Sequence, residues 1–150
     1  MSAPRPCFSD FPDFKQTPDL PISVEFNRLA SQRRWKKGSK TWCRVWNRCI
    51  DMEYDRVMGN HLTGLDDWRR LCEELDLPGP FSSIRQCKQA LSKVYVNIVD
   101  ILECRQLGQK PRKFHTLKAL IAYTRDSGKF FGRGLAKQDK LLGTLLKRVL

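Results

Sequence analysis

The residues with the most chemical potential in this chain are cations. Arg33-Arg34-Trp35-Lys36-Lys37-Gly38-Ser39-Lys40 leads straight into a segment whose apolar residues Trp42, Val45, Trp46, Cys49 and Ile50 recur at helical spacing. Lys and Arg at a helix start oppose the helix dipole by roughly 0.3 kcal/mol or more each, so a chain shaped only for stability would place acids there. A bound anion reverses the sign, because free backbone N–H groups, the dipole and the cations then converge on one phosphate. At about 100° per residue, Lys40, Arg44, Asn47 and Arg48 fall opposite Trp42, Trp46 and Cys49, leaving the cations outward. Arg33, Arg34, Lys36, Lys37, Lys40, Arg44 and Arg48 therefore form a first candidate phosphate-binding set. Trp35 could stack on a base, although packing against the fold is the expectation.

A second set follows in Lys110, Arg112, Lys113, Lys118, Lys129, Arg133 and Lys137. Lys110 to Lys113 is compact enough to be read by a nuclear importer, a match that also arises by chance. Gly128-Lys129-Phe130-Phe131-Gly132-Arg133-Gly134 is a basic, aromatic loop able to wrap a phosphate backbone. It lacks the Gly-Lys-Ser/Thr of a nucleotide-binding loop, which argues against ATP, and its phenylalanines are expected to anchor in the core.

Other chemistries are poorly supplied. His61 and His115 have no candidate nucleophile nearby in sequence, so no acid–base constellation can be named and a non-enzymatic protein is expected. Cys7, Cys43, Cys49, Cys72, Cys87 and Cys104 contain no Cys-x-x-Cys; Cys49, Cys72 and Cys87 fall on apolar faces, as free thiols behaving like small hydrophobes. No metal and no cofactor is expected. Glu53 projects toward the middle of the Trp42/Trp46/Val57 face and is expected to pair with an arginine or reach outward. Asn97 reads as a buried, hydrogen-bonded specifier of packing.

The 150 residues carry 28 Lys and Arg against 16 Asp and Glu, a formal charge of +12, and that surplus is blocked. Residues 26–50 hold eight basic groups and no acid, and residues 105–150 hold twelve against Asp126 and Asp139. Between them, residues 51–104 are net acidic, with ten acids against six bases. Such blocks raise local potential and attract polyanions. At 41% hydrophobic and 10% aromatic, the chain is not disordered as a whole. No apolar run approaches the ~20 residues of a membrane span. The N-terminal Met1-Ser2-Ala3-Pro4-Arg5-Pro6 has no apolar stretch behind its basic residue, so no secretory signal is expected and disulfides are not.

Residues 1–20 are rich in proline (Pro4, Pro6, Pro12, Pro18, with Pro21 just beyond) and read as an extended or disordered tail. Its Phe8, Phe11 and Phe14 are expected to dock on the domain. Residues 21–150 read as one helical domain. Pro21 opens a helix over about 22–34, and Gly38 breaks the chain before Ser39 caps the next, which ends at Gly59-Asn60. Thr63 with Asp66 resembles a capping box for a helix carrying Leu65, Trp68, Leu71, Cys72 and Leu75, stopped by Pro78-Gly79-Pro80. Ser82 or Ser83 caps one long central helix in which Ile84, Cys87, Leu91, Val94, Ile98 and Ile101 make a heptad seam closing near Gly108. A buried strand at 94–99 is its rival. Thr116 caps a helix stopped by Gly128, and a final helix runs from about Leu135. The fold expected is all-α: a single compact bundle of five or six helices with an extended Pro-rich N-terminal tail.

Several words of this chain together resemble a group of small, uncharacterised helical proteins of filamentous fungi. They are Glu25-Phe26-x-x-Leu29, Trp35-Lys36-x-Gly38-Ser39-Lys40, Trp68-x-x-Leu71-Cys72, Ser83-Ile84-x-Gln86-Cys87-Lys88, Val96-Asn97-Ile98-x-Asp100, Tyr123-Thr124 and Ala136-Lys137. The resemblance implies a fungal, intracellular setting and carries over no catalytic or binding residue. Together these readings predict a nucleic-acid-binding protein, DNA before RNA, nuclear in preference to cytoplasmic and not secreted. The alternative is a helical adaptor whose basic surface docks an acidic protein partner.

Overall fold

The computed structural model describes residues 4–17, 19–58 and 64–131. Among them are six α-helices and one two-stranded ladder, so the fold is all-α apart from four strand residues. The chain gathers into two compact units, Met1–Val57 and Met58–Leu150.

In the first unit, helix α1 (Ile22–Arg33) and helix α2 (Lys40–Met58) build a core on aromatic rings. Phe26 of α1 meets Trp42 edge-on at 5.2 Å and Trp46 at 5.1 Å, while the two tryptophans, one turn apart on α2, stack at 5.7 Å. Val45, Cys49, Ile50 and Tyr54 continue that buried face. The alternation of this stripe with Lys40, Arg44 and Arg48 is what orients the basic side chains outward.

The N-terminal segment departs from the extended, disordered tail expected of residues 1–20. Phe8, Phe11 and Phe14 close three successive turns, each N–H bonding the carbonyl three residues earlier, and Pro6–Phe8 forms a single 3-10 turn. Proline forbids α-helix here but suits the first positions of turns, and a phenylalanine every third residue gives the turns an apolar side. Cys7, Phe8 and Phe14 are buried, so the docking expected of the phenylalanines is realised at Phe8 and Phe14.

In the second unit, helix α3 (Leu65–Glu74) packs on helix α4 (Ile84–Leu91). The N-cap of α3 is Gly64, whose N–H donates to the Asp67 carboxylate at 3.1 Å; the expected Thr63 cap lies outside the described residues. The single long helix expected from the heptad seam is instead two. Helix α4 stops at Leu91, and strand β1 (Tyr95–Val96) pairs antiparallel with strand β2 (Lys113–Phe114). Helix α5 (Ile98–Leu107) then starts at an Asn97 cap. The β-branched pair around Tyr95 disfavours helix, and Asn97 Oδ1 accepts from the Asp100 N–H at 3.1 Å, so a new helix starts there. Ile98, Val99, Ile101 and Leu102 are buried on every side, which makes α5 a central helix of its unit. Helix α6 (Leu117–Ser127) lies against the ladder between the expected Thr116 cap and Gly128, whose φ of 74° ends it. The helix expected from Leu135 lies outside the described residues.

Candidate nucleic-acid interface

The turn joining α1 to α2 is where local sequence and charge meet. The Arg34 N–H bonds the Ser31 carbonyl at 3.2 Å and the Trp35 N–H bonds the Ala30 carbonyl at 2.9 Å, the two bonds of a Schellman closure. That closure puts Arg34 in the left-handed region, at φ 58° and ψ 36°, where glycine is the usual occupant. Gly38, at φ 83°, reverses the chain again, and the Ser39 hydroxyl accepts from the Trp42 N–H at 3.3 Å as the expected cap of α2. Trp35 packs edge-on to Phe11 at 5.6 Å and lies near Phe26, the packing expected of it.

The seven cations of the first set do not share one fate. Arg33 pairs with Asp13 at 2.6 Å and lies over the Phe11 ring at 4.9 Å; Arg48 pairs with Asp10 at 2.5 Å. Both carboxylates come from the N-terminal segment rather than from the acidic middle of the chain. Arg34, Lys36, Lys40 and Arg44 are exposed and have no carboxylate partner among the described residues, and Lys37 is exposed beside them. The first turn of α2 contains no acid, whereas α1, α3 and α5 begin with Glu25, with Asp66 and Asp67, and with Asp100.

The second set is more dispersed. Lys110 is held by Asp76 and by the Glu73 carbonyl at 3.0 Å, and the Lys110 bond keeps the Asp76 carboxyl below its usual range. Arg112 lies exposed over the Phe114 ring at 4.7 Å, with Lys113 exposed on β2 and Lys118 exposed in the first turn of α6, again without an acid. Arg133 and Lys137 lie outside the described residues. Helix α4 opens in the same manner, with an exposed Arg85 and no acid in its first turn.

Lys129, expected among the phosphate-binding cations, is instead a structural cation. Its Nζ donates to Asp100 Oδ1 at 2.6 Å and to Tyr123 Oη at 3.1 Å, and sits 3.0 Å from Glu103 Oε1. Burial alone would lower the Lys129 pKa, but the bonds to Asp100 and Tyr123 and the charge of Glu103 outweigh it and raise the pKa above the usual lysine value. An ammonium so enclosed has no donor to offer a phosphate. Asn97 closes the same region, donating to Thr124 Oγ1 at 3.2 Å and to the Lys129 carbonyl at 3.0 Å, as its reading as a packing specifier anticipated.

A second buried network centres on Arg5, whose partners lie far from it along the chain. Arg5, 1% exposed, reaches Glu53 through Nε at 3.0 Å, Glu25 through Nη1 at 2.5 Å and the Leu20 carbonyl through Nη2 at 2.6 Å. Glu53 also accepts from Arg56 at 2.7 and 2.9 Å, which is the arginine pairing expected of it. No buried side-chain nitrogen or oxygen among the described residues lacks a partner.

Little else gathers as a reactive centre. His115 is exposed and His61 lies outside the described residues; among the described residues no three His, Cys, Asp or Glu side chains cluster as metal ligands. All six cysteines are free thiols. The Cys49 thiol bonds that of Cys7, and this bond together with burial raises its pKa; burial and Cys87 push Cys72 up to about 12. Such thiols are poor nucleophiles. An open cleft of about 360 Å³ beside α3 and α5 is lined by charges that neutralise one another, with Arg105 on Glu74 at 2.6 Å and Lys110 on Asp76. No family model, no curated protein and no solved structure matches the chain.

Proposed function

We propose that this chain is a non-enzymatic nucleic-acid-binding protein that grips phosphates, on DNA in preference to RNA, through the turn between α1 and α2. One observation carries this reading: Arg34, Lys36, Lys40 and Arg44 crowd a helix start that has no acid, exposed and without carboxylate partners among the described residues. Arg34 sharpens it, since the left-handed conformation there would suit glycine better. Arg112, Lys113 and Lys118 are exposed cations of the second unit and form a separate set that the α1–α2 turn does not depend on. Contacts of this type position a backbone and read no bases, so sequence preference is not part of the proposal. A basic Lys110–Lys113 cluster is consistent with a nuclear setting.

The test is a salt titration of binding to duplex DNA and to structured RNA. Four to five phosphate contacts give a slope of log K on log salt near −4, or about −0.9 per contact. Lys36→Glu with Lys40→Glu should flatten it by about 2. A wild-type slope shallower than about −1 would remove the reading. An acidic protein partner is the second reading, favoured by the Asp13 carboxylate and the Phe11 ring that Arg33 already holds within the chain. Partners that survive nuclease treatment in a pull-down would decide for it.

A further inference from the structure

We infer that residues 10–13 are a built-in competitor for the basic face, an acidic strap that occupies two of the seven cations a nucleic acid would otherwise take; this rests on the nucleic-acid reading above. Asp10 holds Arg48, on the outward face of α2 one turn beyond Arg44, and Asp13 holds Arg33, next to Arg34. Between them Phe11 lies edge-on to Trp35 and beneath the Arg33 guanidinium. Carboxylates on arginine and a ring under the guanidinium imitate the phosphates and bases of a nucleic-acid strand.

The strap is built to be displaced at its charged tips without loss of the fold. The side chains of Asp10 and Asp13 are 54% and 61% exposed, and exposed pairs of this kind contribute little to stability. The segment is anchored elsewhere, by the buried Arg5, Phe8 and Phe14. A polyanion with several phosphates can therefore exchange with both carboxylates while the segment stays docked. A single phosphate or a lone acidic side chain gains too little to do so.

The experiment compares wild type, Asp10→Asn with Asp13→Asn, and a control in which the exposed Asp51 and Asp55 of α2 become Asn, so that both variants gain the same net charge. Helical content by circular dichroism checks that each is folded, and binding to a duplex DNA is titrated from 50 to 200 mM salt. Freed arginines add up to two contacts, so the strap variant should bind about tenfold tighter at 50 mM salt, with a slope steeper by about 1 to 2. The control should change affinity by less than about threefold. If wild type binds steeply and the strap variant matches wild type or the control, the competitor is refuted and the nucleic-acid reading stands. Binding by the strap variant alone supports both. If neither protein binds, the nucleic-acid reading falls and takes the competitor with it.

Discussion

Replacing Arg34 by glycine should make this protein more stable and worse at holding a polyanion. Arg34 sits at φ 58° and ψ 36° because the Schellman closure of α1 requires it, and its side chain is exposed. A residue with a Cβ in that region costs roughly 1–2 kcal/mol. Glycine relieves this but gives back about 0.5–1 kcal/mol through the freedom it adds to the unfolded chain. The net gain is about 0.5–1 kcal/mol, which at a urea m-value of ~1–2 kcal/mol/M moves the midpoint up by roughly 0.3–1 M. In the same preparation the salt slope for duplex DNA should lose about 0.9, one phosphate contact. Equilibrium urea unfolding and a fluorescence anisotropy titration read the two effects. The reasoning is refuted if the variant unfolds earlier than wild type, or if its slope does not change; in the latter case the arginine serves the turn alone.

Arg5→Met should destabilise the first unit by about 3–5 kcal/mol, because it strands Glu25 and part of Glu53 in the interior. Adding Glu25→Gln should recover part of that loss in urea unfolding, whereas equal stability of Arg5→Met and wild type would contradict the buried network. Alkaline stability should follow Lys129. Its pKa is raised in the fold, so its contribution is complete below the unfolded value of 10.5 and is lost as pH rises through the folded one. Unfolding midpoints should therefore fall above about pH 10.5, and Lys129→Met should show a shallower fall in that range. Brief iodoacetamide treatment of the native protein at pH 8 should label Cys43 first and spare Cys7, Cys49, Cys72 and Cys87, which are all buried; six labels should appear in urea by mass spectrometry.

What the sequence by itself determined is whatever a few neighbouring residues can enforce. The start of α2 at Ser39, the start of α6 at Thr116 and its end at Gly128 rest on bonds spanning three or four residues, and the aromatic stripe of α2 is a matter of helical period alone. The charge blocks are likewise local, and so is the outward placement of Lys40 and Arg44. Tertiary structure alone decided the rest, because the partners are far apart along the chain. Arg5 meets Glu53 across 48 positions, and burial of three charges is tolerable only once Glu25 and the Leu20 carbonyl complete the arginine's bonds. Lys129 left the phosphate-binding set when Asp100, 29 residues away, enclosed it. The break at Tyr95 needed Phe114 as a strand partner before the β-branched preference could defeat a continuous heptad seam. Side-chain periodicity reports which face is apolar, but a charge or a strand edge acquires its role from the group that comes to lie against it.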